Sequence, residues 1–120
     1  MWEVVLLEEA DAWFLELSQS DPRLAEQIAA SIDLLAATGP SLGRPVVDTL
    51  KGSKVHNLKE LRAGSTRIIF VFDPSRNAVL LVAGDKRNQW KEWYEVSIPI
   101  AESRYEEWLA IVPKEANDGA

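Results

Sequence analysis

The sequence predicts an α+β domain, and three observations predict it. Apolar residues recur at three- and four-residue spacing through the first third: Ala10, Trp13, Phe14 and Leu17, then Leu24, Ile28, Ile32 and Leu35. The middle holds β-rich runs at 55–62, 67–72 and 78–84, separated by short turn sequences. The last third returns to helical spacing, with Trp90, Trp93 and Tyr94 and then Ile100, Tyr105, Trp108 and Leu109. A chain of 120 residues fits one domain, placed at 1–112, with a flexible C-terminal tail at 113–120.

Taken in order, residues 2–7 are short, apolar and partly β-branched, which predicts a strand. The first helix follows, and Ser18-Gln19-Ser20-Asp21-Pro22 breaks it. Ser20 or Asp21 can cap a second helix, whose first turn suits Pro22 because the missing N–H would be unpaired there anyway. Gly39-Pro40 stops that helix. Residues 41–54 predict a loop with at most a turn of structure. Residues 55–62 predict a strand, but Leu58 and Leu61 are out of step for strict alternation, so a bulge or a two-sided strand is expected. Ala63-Gly64-Ser65 is a turn. Residues 67–72 form a near-continuous apolar run, the pattern of a central strand covered on both faces. Asp73-Pro74-Ser75-Arg76-Asn77 links it to a third strand at 78–84, completing an antiparallel meander. Residues 89–96 read as helical, and Pro99 marks the start of a separate final helix.

Several functions are disfavoured at once. No apolar run approaches the roughly 20 residues that span a bilayer. The N-terminus lacks the basic segment of a signal peptide, cysteine is absent and there is a single histidine. Disulfides and thiolate or histidine-rich metal sites are therefore not expected, and the cytoplasm is. No phosphate loop, dinucleotide fingerprint or nucleophile elbow occurs, and no cofactor is expected.

Charge is distributed unevenly. The net is −6, but residues 1–43 carry −7, residues 44–91 carry +6 and residues 92–120 carry −5. A basic middle between acidic ends can attract a phosphate backbone locally. It equally fits a solvated sheet edge with lysines set against aggregation. Lys54, Lys59, Arg62 and Arg67 fall on neighbouring strands, and Lys86, Arg87 and Lys91 follow the third. An antiparallel sheet could gather them on one face beside Trp90, Trp93 and Tyr94, whose rings can stack on bases. RNA cleavage without metal needs an activated 2′-hydroxyl, balance for charge on the phosphate and a proton for the leaving oxygen. Lysine and arginine supply the charge, and a lysine crowded by cations can move a proton. The lone His56 could be a base, although a single strand histidine is more often packed or solvated. Each tryptophan taken singly is more often core.

The ordered stretches Leu42-Gly43-Arg44-Pro45, Leu50-Lys51-Gly52-Ser53, Leu58-Lys59-Glu60-Leu61-Arg62, Arg67-Ile68-Ile69-Phe70-Val71-Phe72-Asp73-Pro74 and Ala83-Gly84-Asp85-Lys86 continue into Trp93-Tyr94, Ile98-Pro99-Ile100-Ala101-Glu102 and Tyr105. Across residues 2–110 this order resembles the HigB branch of the RelE/ParE toxin superfamily. The resemblance implies a RelE-like fold: two N-terminal helices packed on a twisted, mainly antiparallel sheet, with a C-terminal helical segment. It implies a type II toxin that cuts messenger RNA on the ribosome, inhibits translation and is silenced by a cognate antitoxin, a helix-turn-helix, HigA-like protein. No membrane partner is implied. Carried onto this chain, Lys59, Arg67 and Lys86 become the catalytic candidates, Arg67 on phosphate and Lys86 or Lys59 for proton transfer. Lys54, His56, Arg62, Arg87, Lys91, Trp90 and Tyr94 become RNA-binding candidates. Two departures stand out: the chain is acidic overall, and Trp108 stands where relatives often have histidine. The competing reading is a non-catalytic relative acting by protein binding, a ParE-like gyrase inhibitor or an inactive antitoxin-binding module. In it, the basic residues diverge or are sequestered by Glu60, Asp73 and Asp85. A small α+β domain with no active site is the third reading. Arg67→Ala is expected to abolish toxicity while leaving the fold intact.

Overall fold

The apolar run that begins at Ile68 demands cover on both faces, and the structure is assembled around it. The computed structural model describes residues 2–55, 57–85 and 90–118, with side chains described to Ile111 and, in the last helix, from Lys91 onward. Its elements are β1 (Glu3–Leu6), α1 (Glu8–Ser20), α2 (Pro22–Thr38), β2 (Val47–Thr49), β3 (Lys59–Ala63), β4 (Thr66–Phe72), β5 (Asn77–Asp85) and α3 (Trp90–Asp118). The five strands form one sheet in the order β1-β5-β4-β3-β2. β1 runs parallel to β5, and every other pairing is antiparallel.

Alternation along β4 sends side chains to two separate cores. Ile68 and Phe70 face α1 and α2, where they meet Ile28, Leu35, Leu61 and Leu80. Ile69 and Val71 face α3, with Leu58, Val79, Leu81 and Ala101. Phe70 and Ile69 are fully buried. Burial of such side chains contributes about 1.5–3 kcal/mol each, so β4 anchors both layers.

The α+β expectation holds, with two helices first, a mostly antiparallel sheet and a helical end. Asp21 is the cap of α2, accepting a hydrogen bond from the Leu24 N–H at 3.2 Å, with Pro22 in the first turn. Gly39 ends α2 at φ 69°, and the Trp2 ring occupies the space a Cβ would need there.

Three local expectations are corrected. The segment 41–54 is not all loop: β2 adds Val47–Thr49 to the sheet edge, where Val47 is buried against α2. The strand expected at 55–62 begins only at Lys59. Of the bulge or two-sided strand expected at Leu58 and Leu61, the two-sided arrangement is found, with Leu58 in the cluster under α3 and Leu61 in the cluster under α1 and α2. The bulge of the sheet lies on β5, where pairing passes from Ile69↔Val82 to Phe70↔Leu80 and leaves Leu81 extra. Leu81 and Val82 then both face α3, which shifts the alternation so that Gly84 faces α3 as well. Finally, Pro99 does not begin a new helix. α3 runs through it, because Trp93 and Ile98 before it and Ala101, Tyr105 and Trp108 after it pack on the same cluster. Burial along one face outweighs the hydrogen bond that proline removes. α3 ends at Asp118. Among the described residues no helix is long and apolar enough to cross a membrane.

Candidate functional site

Strand register places Arg62 directly opposite Arg67 across β3 and β4. Two like charges in that position repel, so they need a counter-charge on the same face. Alternation supplies it two residues back. Glu60, only 2% exposed, accepts from Arg62 Nε at 3.0 Å, and its other oxygen lies 3.8 Å from Arg67 Nε. Arg62 also bonds Asp48 on β2 at 3.0 Å, and Asp48 takes a second hydrogen bond from Arg44 at 3.2 Å. Arg67 turns back onto its own hairpin, donating from Nη1 to the carbonyls of Gly64 at 2.6 Å and Thr66 at 2.8 Å.

The helix contributes Tyr94, whose hydroxyl donates to Glu60. Its neighbour Trp93 sets the height of the helix above the sheet. The Trp93 ring lies against Gly84 where a Cβ would collide, and it meets Tyr94 edge to face at 5.1 Å. Gly84 is the strand partner of Arg67, so the close approach of α3 lies beside the arginine pair.

Electrostatics follow from this packing. Burial, and then the hydrogen bond and charge of Glu60, push the Tyr94 hydroxyl up to about 12. The Arg62 guanidinium is raised further by its bond to Glu60. The bond from Arg44 holds Asp48 below the ordinary carboxylate range. At the hairpin beyond, burial would raise Asp73, but bonds from Asn77, Trp108 and Ser75 outweigh it and leave it lowered.

Two adjoining grooves share Tyr94 and Ile98. A polar one of about 340 Å³ is lined by Asp48, Lys51, Glu60 and Arg62. A more apolar one of about 560 Å³ has Ile98 and Pro99 in its wall, with Lys54 and Lys91 at its edge. Glu102 secures the loop that carries Lys54, accepting from Ser53 Oγ at 2.8 Å and from the Lys54 N–H at 2.6 Å. The Ser53 bond, first, holds the Glu102 carboxyl below its ordinary value.

Of the residues the sequence singles out, the structure brings together Arg62, Arg67 and Tyr94, with Lys54 and Lys91 at the groove edge. Lys59 does not join them. It pairs with Phe70 on the face that α1 and α2 cover, and its Nζ bonds Thr49 Oγ1 at 3.2 Å on the sheet edge. The expectation that it converges with the arginines is corrected by strand alternation. His56, Lys86 and Arg87 lie outside the described residues, as does the side chain of Trp90. Sequence reasoning named Glu60 only as a competitor for the bases and missed that it is the hub. The signal was there, since Glu60 and Arg62 share a face of any strand through 59–63. Glu102 carried no such signal, because its partners are 48 and 49 residues away.

The family described as Phage derived protein Gp49-like matches residues 13–106. A Mycobacterium tuberculosis protein named "Putative toxin HigB3" is 49% identical over 109 residues, covering 89% of this chain and 93% of that protein. A second protein of that organism, "Putative toxin HigB2", is 42% identical over 109 residues, covering 87% of this chain and 53% of that protein. This chain thus spans about half the length of the second relative.

Proposed function

The chain belongs to the Gp49-like family of phage-derived proteins, and on that premise we propose that it is the toxin of a toxin–antitoxin pair, an endoribonuclease of the RelE/HigB type. In this reading it acts in the cytoplasm, cuts messenger RNA in the ribosome and is silenced by a helix-turn-helix antitoxin. The toxin names of two relatives support the first part. The observation that carries the second is that Arg62 and Tyr94 meet on the buried Glu60 in the wall of an open groove, with Arg67 against the same carboxylate behind them.

Cleavage proceeds by attack of the 2′-oxygen on the neighbouring phosphorus, with departure of the 5′-oxygen. The arginines carry the charge that builds on the phosphate oxygens, and their fixed positions save reorganisation at the moment of reaction. Glu60 holds them side by side. Tyr94 is protonated at neutral pH and serves as a hydrogen-bond donor, not as a base. The proton of the 2′-hydroxyl needs another acceptor, and Lys86 is our candidate; the products are a 2′,3′-cyclic phosphate and a 5′-hydroxyl, whose proton comes from water entering the open groove. Lys54 and Lys91, both at the edge of the adjoining groove, contact the phosphate backbone beyond the cleaved bond in this reading.

A second reading rests on one specific observation: Arg62 is ion-paired to both Glu60 and Asp48, the sequestration expected of a relative that acts by binding protein. Inducible expression in bacteria separates the two, with growth and messenger 5′ ends mapped for the wild type and Tyr94→Phe. Growth arrest with new in-frame ends, fewer in the variant, supports the nuclease. Arrest without new ends rejects it in favour of a protein target such as gyrase, and no arrest rejects the toxin reading.

A further inference from the structure

Three glutamates from the two end segments of the chain meet in one place, away from the arginine pair. The start of α1 brings Glu8 and Glu9, and α3 brings Glu107, to the rim of a groove of about 440 Å³. Its apolar lining includes Trp108, Ile100 and Ile111, and the two isoleucines are 37% and 54% exposed. The basic residue of the groove is committed inward. Arg104 donates from Nη1 to the Leu81 carbonyl at 2.5 Å, and its Nε lies 3.8 Å from Glu9. The rim therefore keeps a negative balance over an apolar strip. Ile100 and Ile111 stand about three turns apart on one face of α3, roughly 16 Å, which is the length of three turns of a second helix laid alongside.

We propose that this groove docks an amphipathic helix of a partner protein, with an apolar stripe on Ile100, Trp108 and Ile111 and flanking lysines or arginines on Glu8, Glu9 and Glu107. Charge selects this occupant. Nucleic acid and anionic lipid are repelled by the glutamates, and a second copy docked symmetrically on this groove would set one glutamate rim against the other. The groove rim is negative where the arginine pair on the sheet is positive, so the two surfaces favour different partners. The inference rests on the proposed function only in identifying the partner with the silencing protein, and the docking surface stands whether or not the chain cuts RNA.

The test uses the full chain and a synthetic helical peptide of leucine and lysine, with leucines at i, i+3, i+4 and i+7. Amide NMR shifts should map to the first turn of α1 and to residues around 100–111, saturating at one peptide per chain. Affinity should fall at least about tenfold in Glu9→Lys/Glu107→Lys and in Ile111→Ser, and should weaken with added salt. Melting curves confirm that both variants fold, and Leu15→Ser, on the exposed side of α1, should bind as wild type. Shifts centred on the Tyr94 groove or on Leu15 and Leu34 would overturn the proposal. So would wild-type affinity in the charge-reversed variant, an absence of saturable binding, or self-association of the free chain that Ile111→Ser abolishes. Failure of the wild type to arrest growth bears on the toxin reading and leaves this mapping unaffected.

Discussion

Glu60 does more for the site than any residue chosen for its own chemistry, because it decides where two guanidinium groups and one phenol sit. Removing one member of a buried charge pair costs about 3–5 kcal/mol. Arg62 is one-third exposed, so Glu60→Ala should fall at the lower end, read as a drop in the denaturation midpoint. Arg67 must be reconsidered in the same way. Its side chain is 12% exposed and holds two carbonyls of its own hairpin, so Arg67→Ala removes structure as well as charge. The expectation of an intact fold is therefore replaced by a loss of about 1–3 kcal/mol, and Tyr94→Phe is the cleaner probe. Tyr94 itself should titrate near pH 12, followed by tyrosinate absorbance and assigned with Tyr94→Phe. Its native value lies above its ordinary 10, so its contribution to stability is fully present below pH 10 and is lost as pH rises through 12. A tyrosinate signal near pH 10 that disappears in Tyr94→Phe would show that the bond to Glu60 is not made in solution.

Among the elements, β4 and α3 set the geometry. Ile69 is fully buried on the α3 side of β4, so Ile69→Asp puts an unpaired charge in a dry layer. That substitution should unfold the domain, and a cooperative native-like melting curve would show that the strand is misplaced. α3 is held close to β5 because Gly84 leaves room for the Trp93 ring. Gly84→Ala should lift the helix and cost about 1–3 kcal/mol by overpacking. It should also shift the Tyr94 titration toward the ordinary tyrosine value, since Tyr94 follows Trp93. An unchanged titration would separate the Gly84 contact from the site.

At the scale of the whole molecule, one sheet serves two cores, and neither survives without it. β4 and β5 contribute side chains to both clusters, so the α1–α2 layer and the α3 layer should melt together. Far- and near-ultraviolet circular dichroism should give coincident transitions, and an early loss of near-ultraviolet signal alone would show that one layer detaches first. Charge is also organised at this scale, with the arginine pair on the sheet and the glutamate rim between the first turn of α1 and the last helix.

The sequence by itself determined the class of fold, the two N-terminal helices and the central strand, and it pointed to Arg62, Arg67 and Tyr94. These depend on local periodicity, capping and turn chemistry, which reach only a few residues along the chain. Asp21 before Pro22, Gly39 after Thr38 and the unbroken run from Ile68 are all legible at that range. What only the tertiary structure decided has partners far apart in sequence. Strand alternation sent Lys59 to the far face while joining Glu60 to Arg62, and a bulge at Leu81 turned Gly84 toward Trp93. Burial on one cluster carried α3 through Pro99, and Glu102 found Ser53 and Lys54 across 48 and 49 residues. Long-range packing outweighed local preference in these cases because a buried face stabilises more than a single turn or cap can oppose.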